Sequence, residues 1–307
     1  MLTRHHIRIK VLQSLYAFSQ NGSTDGKKAL KDLKQSLDNI YRLYLLDLHI
    51  LRLLVSFLEE RLEIERSKQL PQHGLIVVLE KAIQDKFLRR LAEDAELIAT
   101  LEKYRVHFGD AKDFIRSILF AYWNSDLAQL HFTAESPLPA GWVKQFYAAH
   151  VAYNTELHAL YENMELHWAD DLDSAQMMVV KTMKNINQDK PLLVSLYKDI
   201  EDASFGGELL VKTLKERPEW EKAMAEKAKN WDIERMAVID RLLVEMALTE
   251  LVSFPEVPAK VTINECIDLA KEYSTPKSSA FVNGLIDSIQ MDLQKAGRIH
   301  KWGKGLL

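Results

Sequence analysis

The chain has little of what most other fold classes need. Its 307 residues hold one cysteine, 8 prolines and 11 glycines. A lone cysteine, Cys266, excludes an internal disulfide. So few turn formers imply few turns and long helices, which argues against a many-stranded β architecture. Nowhere is there an uninterrupted apolar run long enough to span a membrane. The most apolar stretch, Leu43 to Leu58, is broken by Asp47, His49 and Arg52, so it reads as a buried helix. The N-terminus lacks the ordered sections of a signal peptide, and a cytoplasmic location is expected. Acidic residues are missing from both ends: none lies before Asp25 or after Asp292. The ends are therefore basic (Arg4, Arg8 and Lys10; Lys295, Arg298, Lys301 and Lys304), although the net charge is −4. Any nucleic-acid contact must then come from local patches. For the C-terminal tail a solvated terminus is the simpler expectation.

Catalytic and cofactor signatures are also missing. There is no phosphate loop and no dinucleotide fingerprint. His150 and His158 stand near Glu162 and Glu165, but no Glu-x-x-His pair exists to build a di-iron site. Asp170, Asp171 and Asp173 lack the glycine and distal glutamate of a calcium loop. Nothing singles out a serine or Cys266 as a nucleophile. No catalytic residue, metal or cofactor is expected.

What is present is helical periodicity from end to end. Leu30, Leu33, Leu37, Ile40, Tyr44, Leu48, Leu51, Val55, Leu58 and Leu62 step by three and four, which predicts one helix roughly 60 Å long. Its centre is apolar on several sides, so it should sit between other helices. Pro71 with Gly74, Gly109 with Asp110, and the Pro137–Gly141 segment interrupt the pattern. Helical runs are expected through Phe87–Tyr104, Phe114–Phe132 and Trp142–Met164. Pro218 suits a helix's first turn, with Trp220, Met224, Ala228 and Trp231 on one face. Further helices are expected through Met236–Leu251, to about Tyr273, and from about Ser279. Thr262 and Glu265 have capping-box spacing, with Val261 and Cys266 as a hydrophobic staple. Asn283-Gly284 lies in helical spacing, where glycine costs about 1 kcal/mol against alanine. Close approach of another backbone or of a ligand would offset that.

Three segments carry a family resemblance: Arg4-His-His-Ile-Arg8-Ile-Lys10-Val-Leu-Gln-Ser-Leu-Tyr16; Val238-Ile-Asp240-Arg241 through Glu250-Leu251; and Val257-Pro-Ala-Lys-Val-Thr-Ile-Asn-Glu265 with Ala270-Lys271 and Phe281-Val-Asn283-Gly284. In order and wording they resemble the NusB family of antitermination factors. The resemblance implies an all-α fold with no catalysis. It divides the chain into a first helix (1–20), a helical insertion (21–202), a NusB-like core (203–296) and a basic tail (297–307). It also implies binding of boxA, a short single-stranded sequence in nascent ribosomal RNA, together with NusE, a small ribosomal-subunit protein, within the RNA polymerase antitermination complex.

By that resemblance Arg4, His5, Arg8 and Lys10 form a basic RNA patch. Phe281 stacks a base, Asn283 hydrogen-bonds one, and Gly284 permits close approach. Tyr16, Asp240 and Arg241 fall on the NusE contact. The interior alternatives are that Arg4 and Arg8 snorkel over Val11 and Leu15, that Phe281 is a core aromatic, that Asn283 is a cap, and that Asp240 pairs with Arg241. The family usually has arginine at the place of Glu245 and tyrosine at that of Thr249, and the charge reversal is expected to alter a binding surface. Two other readings are a helical protein-interaction scaffold and a non-catalytic NusB-like partner in ribosomal RNA modification.

Overall fold

Fourteen α-helices account for most of the described residues. They are α1 (Arg4–Gln20), α2 (Gly26–Arg66), α3 (His73–Ile83), α4 (Lys86–Glu93), α5 (Ala95–Lys103), α6 (Lys112–Trp123), α7 (Asp126–His131), α8 (Trp142–Tyr147), α9 (Thr155–Met164), α10 (Trp168–Asn185), α11 (Ile200–Lys227), α12 (Val238–Ser253), α13 (Ala259–Tyr273) and α14 (Ser278–Lys295). A computed structural model describes residues 1–22, 24–133, 137–186, 190–227 and 236–306, and among them there is no strand. Ala228 and Trp231 lie outside the described residues. The protein is all-α. No helix among the described residues is long and apolar enough to cross a membrane.

Two compact units divide the chain. An inserted unit comprises residues 38–196 with Met1, and a terminal unit comprises residues 2–37 and 197–307. The helix α2 contributes its first turns to the terminal unit and the rest to the inserted one.

The expected long helix forms unbroken over 41 residues, most of them in the inserted unit. Leu43, Leu45, Leu46, Leu48, Ile50 and Leu51 are all fully buried, so the centre of α2 is packed on every side, as its all-round apolarity there requires. It ends at Arg66, before Pro71. The run expected through Phe87–Tyr104 is broken into α4 and α5, because the side chains of Asp85 and Asp94 cap new N-termini there. Asp94 ends one helix and starts the next.

The most deeply buried polar groups of α2, Tyr44 and Asp47, have partners. A relay runs from the Val194 N–H to the Tyr44 hydroxyl (3.2 Å), on to the Thr182 hydroxyl (2.7 Å), and from there to the Met178 carbonyl (3.1 Å). Asp47, on the otherwise apolar centre of α2, accepts from the hydroxyls of Tyr147 (2.6 Å) and Tyr161 (2.7 Å). Burial pushes its carboxyl up to about 6 and the two tyrosines only partly counter that.

The terminal unit packs α1, α11, α12, α13 and α14 together. Its closest approach is at Gly206, where an added Cβ would lie 2.6 Å from Cγ2 of Ile7; at Gly207 one would lie 3.1 Å from Cδ1 of Leu30. These two glycines let α11 come against α1 and the start of α2. Gly284 has nothing within 4 Å of a Cβ position and is exposed, so no intramolecular packing offsets its helical cost. Pro218 does not open a helix. It lies inside the 28-residue α11, where packing of Trp220 and Met224, both essentially buried, outweighs the lost hydrogen bond.

Two outcomes check this packing. Gly206→Ala should cost about 1–3 kcal/mol in denaturant unfolding, and Ile7→Ala should make the double variant cost less than the sum; simple additivity would contradict the clash. For Asp47 the raised pKa means the folded state holds the proton longer than the unfolded one. Its contribution to stability is thus present at about pH 4 and lost as pH rises through about 6. Asp47→Asn should gain on the wild type by roughly 2–3 kcal/mol between pH 4 and 7. A difference that does not vary with pH would refute it.

Candidate nucleic-acid interface

The first helix was expected to present its cations to solvent, and the structure corrects that. Thr3 caps α1 and makes a reciprocal box with His6. From Ile7 to Leu12 every residue of α1 is buried. Arg8 is 2% exposed. Its Nε and Nη2 donate to the two carboxylate oxygens of Glu250 at 2.8 and 2.5 Å. The Thr262 hydroxyl donates to the same carboxylate (2.8 Å). Glu265 stands 3.4 Å from Arg8 Nη1 and 2.8 Å from His5 Nδ1. Burial opposes the charge on Arg8, but Glu250 and Glu265 outweigh it and hold the guanidinium pKa above its ordinary value. Lys10 is likewise buried. Arg4 keeps a quarter of its side chain exposed, donates to Asp202 (2.8 Å) and lies 3.8 Å from Glu256. Both Arg4 and Arg8 cover the Phe205 ring, at 4.8 and 5.2 Å. They do share a face, and it is turned inward onto α11 and α12.

The expected capping box is part of this same network. The helix α13 starts at Ala259, with Pro258 at its N-cap, so Thr262 lies one turn inside it and reaches Glu250 instead of its own backbone. Val261 is 42% exposed and staples nothing. Cys266 is buried and donates weakly to the Leu243 carbonyl (3.7 Å). Burial pushes its thiol far up, which leaves it inert.

The partner residues named from the sequence differ in exposure. Tyr16 is 40% exposed. Asp240 is buried and accepts from Ser274 (2.6 Å) and Ser278 (2.8 Å). It ties α12 to the α13–α14 turn and does not pair with Arg241. Arg241 lies 3.7 Å from Glu245, which is fully buried and accepts from Arg217 Nε (2.9 Å). Burial raises the Glu245 carboxyl, against the pull of Arg217 and Arg241. Thr249, also fully buried, accepts from the Trp220 indole (2.8 Å). Glu245, expected to alter a binding surface, therefore sits in the α11–α12 seam instead.

On α14, Phe281 and Asn283 are half-buried and Gly284 is exposed. Lys271 and Lys277 are exposed on the same helical hairpin, Lys271 in an ion pair with Asp268 (2.9 Å). The basic tail is more than a solvated terminus. Lys301 donates to the carbonyls of Phe254 (2.9 Å) and Glu250 (3.5 Å) at the C-terminal end of α12, where a cation suits the helix dipole. Arg298 pairs with Glu219 and covers the Trp220 ring.

Sequence reasoning missed the acids that organise the site: Asp202, Glu250 and Glu265. Glu250 left one signal, a carboxylate between the apolar Leu248 and Leu251 on a mostly apolar helix, which needs a partner if it is buried.

The class is thus an all-helical module whose N-terminal cations hold its own helices together. The NusB family profile matches residues 167–291, which leaves out α1. A transcription antitermination protein NusB of Salinibacter ruber is 47% identical over 114 residues, 37% of this chain and 71% of that one. The Geobacter sulfurreducens protein of the same name is 40% identical over 94 residues, 31% of this chain and 68% of that one. For Chloroherpeton thalassium the values are 46% over 84 residues, 27% and 40%. No solved structure matches. The chain belongs to the NusB family.

Arg8→Ala should destabilise the protein by about 3–5 kcal/mol, since it strands a buried carboxylate. Arg8→Lys should recover only part, for want of the two-pronged geometry. Denaturant midpoints measure both, and a loss below about 1 kcal/mol for Arg8→Ala would show that the pair does not hold the helices.

Proposed function

We propose that this protein is an RNA-binding transcription antitermination factor that binds boxA-like single-stranded RNA together with NusE, within the RNA polymerase antitermination complex. Membership of the NusB family supports the reading as a whole. The single structural observation in its favour is Gly284: an exposed glycine within a helix, with open space beside it and no packing to justify its cost. Close approach by an RNA backbone is a reason for it to be there. Phe281 and Asn283 stand on the preceding turn for stacking and hydrogen bonding, and Lys271 and Lys277 supply phosphate contacts nearby. Arg4 and His5 remain partly exposed at the start of α1 and complete the basic edge. Arg8 and Lys10 act through the scaffold. NusE docks through Tyr16 and Arg241, with Asp240 fixing the helix that carries Arg241. No reaction is catalysed.

Fluorescence anisotropy of a boxA-like RNA, with and without NusE across a salt series, tests this. NusE should tighten binding, and affinity should fall as salt rises. Gly284→Ala separates function from stability. It should stabilise the fold by about 1 kcal/mol while weakening the RNA complex. No RNA binding in the presence of NusE would refute the proposal.

A further inference from the structure

The inserted unit has a cavity of about 360 Å³ between α2, α6 and the connection that precedes α6. That is the size of a small-ligand site. Its floor is apolar and aromatic: Leu53, Phe57, Phe108, Ile115 and Leu119. His49, also in the lining, is stacked on Phe108 with ring centres 5.6 Å apart and planes 6° from parallel. Burial, then Arg52 and His107, push the His49 imidazole down to about 4, so it is neutral at physiological pH.

In the lining Lys112 and Arg116 balance Glu60 and Asp113, and Arg61, beside Glu60 but outside the lining, tips the rim by one positive charge. Glu60 on the rim is already shared by Arg116 (2.7 Å) and Arg61 (3.1 Å), which leaves one guanidinium in excess. Lys112 and Asp113 are exposed on the rim, and neither is bound to another described side chain. In the lining, His49 has a buried Nδ1 without a hydrogen-bond partner, a deficit that folded proteins rarely leave without cause. An aliphatic ligand would use the floor and leave the cations idle. A planar group bearing a negative charge uses both.

We propose that this cavity holds one nucleotide of a single-stranded RNA, its base on the aromatic floor and its phosphate on Lys112 and Arg116. The inference rests on the RNA-binding reading above and extends it to the inserted unit. Base stacking on aromatic side chains tolerates any base, so the site contributes affinity and not sequence selection.

The test is calorimetric titration of the full chain with uridine and adenosine 5′-monophosphates, with inorganic phosphate and ribose 5-phosphate as controls. Ser56→Trp fills the mouth and Lys112→Glu reverses its charge, both at exposed positions where melting temperature should not change. Both nucleotides should bind, the controls should not, and each variant should lose about tenfold in affinity. The inference is overturned if the nucleotides do not bind, if phosphate alone binds as well, or if the variants bind like the wild type. Failure here with boxA-like RNA still bound leaves the antitermination reading intact. Nucleotide binding by a chain that ignores boxA-like RNA removes that reading and keeps the cavity as a nucleotide site.

Discussion

The buried pair between Arg8 and Glu250 constrains the terminal unit more than any other contact. It joins α1 near the start of the chain to the end of α12, 242 residues later. Glu250 also receives Thr262 from α13, and its backbone carbonyl receives Lys301 from the tail. Four segments therefore meet at one residue. A carboxylate and a guanidinium that are both almost wholly buried are tolerable only when their hydrogen bonds are filled. That demand sets the register of α1 against α12, and Phe205 beneath both Arg4 and Arg8 sets the register of α11. The pair specifies an arrangement; its net contribution to stability over an apolar replacement is a separate matter.

Much of the fold is legible in the sequence, because helices advertise themselves through local spacing. The seam from Leu30 to Leu62 gives α2, and the prolines and glycines of the middle mark real breaks. What is not legible depends on partners distant in the chain. Arg4 and Arg8 look like a surface pair, since the acids that claim them lie about 200 residues away or more. Thr262 and Glu265 have the spacing of a cap, but the helix starts at Ala259, and only the tertiary position of Glu250 explains where the Thr262 hydroxyl goes. Glycine misleads in the same manner. Gly284 draws attention by its neighbours in sequence, yet the glycine that packing requires is Gly206, against Ile7.

The inserted unit shows the same logic in a more apolar setting. One carboxylate, Asp47, sits in the middle of the helix with the deepest burial, and it is accepted there because two tyrosines from other helices donate to it. Tyr44, three residues earlier, is used by Thr182 and Val194. Tyr44 and Asp47 on the core face of α2 thus each select particular neighbours. In a bundle of amphipathic helices, where apolar contacts alone would allow sliding and rotation, those few directional bonds define a single packing.

The polar residues buried between α11 and α12 follow the same rule. Glu245 and Thr249 are one turn apart on α12, and their partners Arg217 and Trp220 are three apart on α11. They form two rungs of one helix seam. A glutamate at the first position needs a cation facing it, and Arg217 provides one. A threonine at the second leaves room for an indole, and Trp220 fills it while donating to the hydroxyl. Taken singly, Glu245 suggests an altered binding surface. Taken with α11, Glu245 and Thr249 are one side of a matched set whose other side is Arg217 and Trp220, on a helix buried on all faces from Leu242 to Leu251.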